Sequence, residues 1–248
     1  MIPASAPPRV AAVLSTAPDG AVPVLHRGPD AVYVALHDRP GEPGGCVGVV
    51  GRRAVRVPCA LHTRLDTLPP VSSARVARGV LHLDDVPVVV GRREDPSVPR
   101  LRLPLELPAR PAPAPDVEAM VGRGDGLTPY DDDVLCGWLA VHRAAGVATP
   151  EVDARVRAAA QRTTALSAAL LDCAVHGEVV PAFAAWVRAL GTPDAADRTR
   201  DLAAIGHSSG RGLLEGARLA LASLAPASAP ASAPASAPAS APHHRGAA

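Results

Sequence analysis

The chain has no lysine; all 25 of its basic residues are arginine. Aromatic residues make up only 2% of its 248 residues, which leaves little for stacking nucleic-acid bases. The 25 basic residues face 24 acidic ones, a formal net charge of +1, so no global field favours DNA or an anionic membrane. Cys46, Cys59, Cys136 and Cys173 show no C-x-x-C spacing and read as reduced, mostly buried thiols. No apolar run reaches membrane-span length, and the N-terminus lacks a basic-then-apolar signal pattern. A soluble cytoplasmic protein is expected, with neither nucleic acid nor membrane as partner. Arginine without lysine, beside excess alanine and proline, matches the bias of a high-GC genome, so a single arginine carries little functional weight.

What is present divides the chain. Residues 1–8, MIPASAPP, and residues 225–248, an A-S-A-P repeat ending in His243, His244 and Arg245, lack aliphatic anchors and read as disordered. Roughly 215 residues remain, enough for one large domain or two small ones. Residues 9–107 carry short, valine-rich segments, RVAAVLS, AVPVLHR, AVYVALH, GCVGVVG, RAVRVPC, ARVARGVLHL and VPVVVGR, which read as strands. Asp19-Gly20 and Asp84-Asp85 read as turns between strands. LHTRLDTLPP, at 61–70, fits a short helix or a loop. Residues 108–115, PARPAPAP, form a linker by composition. Over 116–224 the periodicity becomes helical, with helices expected near 116–121, 129–145, 150–176, 180–190, 193–204 and 211–224. Thr128-Pro129 and Thr192-Pro193 look like helix starts, Gly146 and Gly191 like helix ends. The order is α+β: a strand-rich N-terminal half, as a small sheet or barrel, then an all-helical half and a disordered tail.

The densest stretch is GRGDGLTPYDDDVLCGW, residues 122–138. Its three aspartates precede an apolar run where a helix begins. As caps, Asp131 would complete a box with Thr128, and first-turn carboxylates gain about 0.3–1 kcal/mol each from the helix dipole. Three in a row are poorly explained this way. Adjacent like charges repel, and successive helical residues point about 100° apart, so one must face the apolar side and needs a partner there. As a site, Gly122, Gly124 and Gly126 would turn backbone N–H groups towards an anion at the helix start, with Arg123 and Thr128 beside it. Asp132 and Asp133 would then hold Mg²⁺ and resolve the charge conflict. The loop is neither a Walker loop nor a dinucleotide fingerprint.

A second constellation, IGHSSGRG at 205–212, also precedes a helix. It reads either as a start capped by Ser208 or Ser209, or as an anion cradle built from Gly206, His207, Ser208, Ser209, Gly210 and Arg211. No G-x-S-x-G elbow is present. In a third stretch, residues 161–178, Thr163 or Thr164 can share a helical face with Ser167; tolerated packing explains them as well as function does. His142 and His176 read as hydrogen-bonded structural histidines, Trp138 and Trp186 as core.

GRGDGLTPYDDDVLCG, RTTALSAALL and IGHSSG, in that order, resemble the AllH (YlbF-like) family of bacterial proteins, represented by the AllH subunit of oxamate carbamoyltransferase. The family's pattern, roughly G-x-G-x-G-L-T-P-S-G-D-D and then a small residue, is met by Gly122, Gly124, Gly126, Leu127, Thr128, Pro129, Asp132, Asp133 and Gly137. Tyr130 and Asp131 depart from it, crowding and charging the loop. The resemblance covers 116–218 and implies carbamoyl transfer between oxamate and phosphate, in ureide and purine-nitrogen metabolism, within a complex of several subunits. Three functions stay open: a subunit for carbamoyl or phosphoryl transfer that binds a small anionic metabolite, a non-catalytic ligand-binding or scaffold subunit, and a metal-dependent hydrolase. Asp125 and His207 are the only candidates for a catalytic base. Asparagine at Asp132 or Asp133 is expected to relieve carboxylate repulsion and leave the empty protein equally or more stable.

Overall fold

The computed structural model describes residues 1–36, 45–101 and 114–224. The tail expected over 225–248, and all but the last two residues of the linker expected over 108–115, lie outside them. Nine strands among the described residues form one sheet: β1 (Ile2–Ala6), β2 (Gly20–Val22), β3 (Val24–Arg27), β4 (Ala31–Ala35), β5 (Cys46–Val50), β6 (Ala60–Thr63), β7 (Ala74–Ala77), β8 (Val80–Leu83) and β9 (Val86–Arg93). The spatial order is β2-β7-β8-β9-β1-β6-β5-β4-β3. The two edges, β2 and β3, are separated in sequence by Pro23 alone, so the sheet must curl until its edges nearly meet. The result is a nearly closed barrel, the second of the two forms expected. Ile2, Val34, Val49, Leu61, Leu81 and Val88 lie in its core.

Several segments depart from the sequence reading. Residues 2–6, expected to be disordered, form a central strand paired with both β6 and β9. Ile2, Ala4 and Ala6 turn inward while Pro3 and Ser5 face out. RVAAVLS is not a strand but most of helix α1 (Pro8–Thr16), whose Val10 and Leu14, one turn apart, enter the barrel core. RAVRVPC forms turns, and LHT of the ambiguous 61–70 stretch belongs to β6. Asp19-Gly20 does not close a hairpin: Gly20 opens β2, and Asp19 accepts the backbone N–H of Arg78 in the β7–β8 turn at 2.7 Å. Asp84-Asp85 does join β8 to β9, with Asp84 at φ +50°.

The C-terminal half holds α2 (Val117–Met120), α3 (Tyr130–Ala145), α4 (Pro150–Ala159), α5 (Ala165–Val175), α6 (Pro181–Ala189), α7 (Ala195–Ala203) and α8 (Ser209–Leu224). The helix expected over 150–176 breaks at Thr163-Thr164, where Thr164 caps α5 by accepting from Ser167 N–H at 3.0 Å. Neither Thr128 nor Thr192 caps a helix with its side chain. Gly146 ends α3 in the left-handed conformation, as expected. No described helix is long and apolar enough to cross a membrane.

The two halves share an apolar seam in which α5 packs on β5, through Tyr33, Cys46, Cys59, Leu166 and Cys173. All four cysteines are buried and unpaired. Burial pushes every thiol up, Cys46 to about 12, so they stay protonated and act as small apolar groups.

Helices α3 and α8 run against each other at backbone contact. A Cβ at Gly137 would fall 2.0 Å from the Leu213 carbonyl oxygen, and one at Gly216 would fall 1.8 Å from that of Val134. Backbone cannot yield as a side chain can. Gly216→Ala is therefore expected to destabilise the fold by about 1–3 kcal/mol in urea melts, despite alanine's roughly 1 kcal/mol advantage in helices. Gly91→Ala, whose Cβ meets nothing within 4 Å, should stay near wild type.

Candidate functional site

Helix α3 begins at Tyr130, immediately behind Pro129, and the three aspartates fan around its first turn. Asp131 takes an ion pair from Arg123 Nε at 2.5 Å. Asp132 is fully buried and accepts the Gly122 N–H at 2.8 Å, the Ser167 hydroxyl at 2.6 Å and the Thr163 hydroxyl. Asp133 is 4% exposed, and its Oδ2 has no hydrogen-bond partner. Burial raises the Asp133 carboxyl to about 7; the neighbouring Ser209 and Thr128 hydroxyls pull it down, and the Asp132 charge pushes it up. The three adjacent carboxylates thus have three different surroundings because their helical positions aim them apart.

The first N–H of the glycine loop already holds an anion, the chain's own Asp132. Gly122, at φ +82°, aims its N–H at Asp132, and a Cβ there would lie 2.2 Å from the Arg162 carbonyl oxygen. A Cβ at Gly124, φ +122°, would lie 2.6 Å from Tyr130 N. Both glycines are required by close packing in a left-handed conformation, whereas Gly126 faces open space. Thr164 binds the same loop by donating to the Leu127 carbonyl at 2.5 Å. Thr163, Thr164 and Ser167 therefore tie the start of α5 to the start of α3. In sequence these hydroxyls fit packing as well as function; the signal for their role was a hydroxyl cluster one turn long in a chain with more carboxylates at 131–133 than capping needs.

This arrangement changes the expectation for Asp132. Both its oxygens are engaged by donors, which is the setting of a structural anchor. Asparagine there is not expected to stabilise the protein, because it would turn an N–H₂ towards groups that themselves donate. Asp133 alone keeps the orphaned oxygen that the relief of repulsion requires. The fit to Mg²⁺ is correspondingly narrow: among the described residues no group of three or more His, Cys, Asp or Glu side chains gathers to hold a metal. Asp133 Oδ2 is a buried carboxylate oxygen of the candidate pair without a donor, and it stands alone there, so no step below is routed through a metal.

The second motif meets the first. Ser209, the first residue of α8, has its Oγ 2.9 Å from Thr128 Oγ1. The start of α8 also abuts Asp133, whose Cβ would lie 2.8 Å from a Cβ added at Gly212. The ring hydroxyl of Tyr130 donates to Glu215, bridging α3 to α8, and this raises the Tyr130 phenol to about 12. Arg211 folds back to donate to the His207 carbonyl at 2.8 Å. A Cβ at Gly210 would lie 1.9 Å from the Leu202 carbonyl oxygen, so this glycine serves the packing of α8 on α7. Gly206 takes φ +60° ahead of α8; Ser208 is half-buried. Asp125 and His207 are exposed on the two loops. His142 donates from Nδ1 to the Trp138 carbonyl at 2.9 Å, stacks on that indole at 3.7 Å between centroids, and is lowered by burial, as a structural histidine should be. Trp138 and Trp186 are core.

Fold and site together define a helical module whose two glycine-rich helix starts lock side by side over a buried aspartate, mounted on a β-barrel. Residues 120–221 match the family described as oxamate carbamoyltransferase subunit AllH, which bears out the resemblance carried by the three motifs. The match covers the helical module and leaves the barrel outside. No curated protein and no solved structure matches the chain.

Proposed function

We propose that this chain is a subunit of an oxamate-type carbamoyltransferase and binds a small anionic ligand where Thr128, Ser209 and Asp133 meet. The observation that carries the reading is the orphaned, buried Asp133 oxygen beside two hydroxyls, at the contact of two motifs that the family match spans. Hydroxyls and helix-start N–H groups can hold a carboxylate or phosphoryl oxygen. A carboxyl titrating near 7 can give or take a proton at an amide or oxyanion of that ligand. Mg²⁺ would find one protein oxygen here, on Asp133, and would fill its shell with water and ligand oxygens. Ureide and purine-nitrogen metabolism is the setting such an activity implies, with companion subunits as partners.

A scaffold subunit is the second reading, and specific contacts favour it. Arg123 is paired with Asp131, and Arg211 is turned onto its own loop. Asp132 is closed by its three donors, so three groups that an active site would use are engaged by the fold.

Co-purification with companion subunits, followed by a carbamoyl-transfer assay on the complex, separates the two. Ser209→Ala and Asp133→Asn should leave the complex assembled and lower its activity at least tenfold. Calorimetry of the chain alone, against oxamate, carbamoyl phosphate and Mg²⁺ singly and in pairs, should show binding that both substitutions weaken. Full activity in both variants would assign the chain to the scaffold role.

A further inference from the structure

The barrel, outside the family match, carries a cleft of about 440 Å³. It opens where the outward residues of β1 meet the ends of β6 and β9, and its walls hold Arg52, Arg56, Arg64 and Arg92 against one carboxylate, Glu94. In a chain with nearly balanced charge, four arginines lining one cleft beside a single lining carboxylate are a local excess that global composition does not reveal.

The floor is a built polar network. Glu94 accepts from the Ser5 hydroxyl, from His62 Nδ1 at 2.8 Å and from Arg56. Burial raises its carboxyl, but those donors prevail and hold it at about 2, so it remains an anion at any physiological pH. His62, 8% exposed, has its other ring nitrogen 2.9 Å from the Val57 carbonyl oxygen. Both ring nitrogens therefore face acceptors, which orients the imidazole rigidly. Glu94 in turn fixes Arg56 at the cleft wall. Arg52 is paired with Asp66 at 2.6 Å, which leaves two cations over: Arg92 reaches Glu94 only at 3.7 Å, and Arg64 is exposed with no carboxylate paired to it among the described residues.

The backbone keeps the cleft open. The register of β1 on β9 shifts between Ala4 and Ser5, pairing Ala4 with Val90 and Ser5 with Arg92. Gly91 is the extra residue of that bulge; it lines the cleft, and a Cβ there would meet nothing within 4 Å. A bulge that re-aims Arg92 and a residue without a side chain at the opening are what a ligand-sized gap requires.

We propose that this cleft is a second binding site, for a small non-aromatic anion of two or more charges, a phosphate or a dicarboxylate. Guanidinium forks match the paired oxygens of either group. The lining contains no Phe, Tyr or Trp to stack a base, the His62 ring is tied at both nitrogens, and the volume is in the range of metabolite pockets, about 300–1,000 Å³. The site is independent of the seam at Thr128 and Ser209.

The test is calorimetry of the full chain with pyrophosphate and with malonate, at constant ionic strength. One or both should bind with a Kd below about 1 mM, a gain of roughly 4 kcal/mol over the standard state. The ligand that binds more tightly assigns the source as phosphate or dicarboxylate. Arg64→Gln combined with Arg92→Gln should weaken binding at least tenfold. Gly91→Leu, which fills the cleft and leaves every arginine in place, should weaken it as much. Gly91→Leu should keep the carbamoyl transfer of the assembled complex, so this site and the proposed carbamoyl site fail separately. No binding of either probe, or equal binding by wild type and the Gly91→Leu chain, would overturn the proposal.

Discussion

Asp132→Ala is expected to lower the stability of the protein by about 4 kcal/mol in urea or thermal melts. Asp132 is fully buried and accepts from Gly122, Thr163 and Ser167. A hydrogen bond to a charged group is worth about 1.5–3 kcal/mol, and the three are not additive. The hydroxyls can rotate towards other acceptors, but the Gly122 N–H is fixed by a backbone that a Cβ could not enter. Ser167→Ala should cost less, about 1–2 kcal/mol, because it removes one donor and leaves the other two in place. An Asp132→Ala protein as stable as wild type would show that the three donors have other partners and that the anchor is misassigned.

Asp133→Asn should act in the opposite direction, and only above mildly acidic pH. The folded carboxyl is raised from 3.8 to about 7. Between those values the folded chain holds a proton that the unfolded chain has released, so stability falls as pH rises, and the full penalty stands above about 7. Its ceiling is roughly 4 kcal/mol, at 1.36 kcal/mol per pH unit. Asparagine cannot ionise. The substituted protein should therefore match wild type near pH 3.5 and exceed it at pH 8 by an amount that approaches this ceiling. Melts across that range measure the difference directly. A constant offset at every pH would mean that Asp133 does not titrate in this window. Such a group, held at a cost to the empty protein, is what a site shaped for a ligand leaves behind.

The sequence on its own determined the division into a strand-rich half and a helical half. Valine-rich segments bounded by glycine, proline and aspartate, then a period near 3.6, are local signals, and the neighbours of a residue along the chain suffice to produce them. It also determined that residues 122–138 held more carboxylates than capping needs, and the three motifs located the module that the family match spans. Tertiary structure decided the rest. PASAP at residues 3–7 is a string that the C-terminal repeat contains again, and most of it is a central strand because β6 and β9 flank it on either side. RVAAVLS became a helix because Val10 and Leu14 had a barrel core to enter. Three adjacent aspartates took an arginine, a glycine loop with two hydroxyls, and a buried setting beside Ser209 and Thr128 that leaves one oxygen unpartnered. Their order in sequence is uniform, but a helix turns each by about 100° towards a different neighbour. The four arginines of the barrel cleft are spread over residues 52–92, with β6, β7 and β8 between them. No local pattern joins them, because only the curl of the sheet brings their guanidinium groups to one opening.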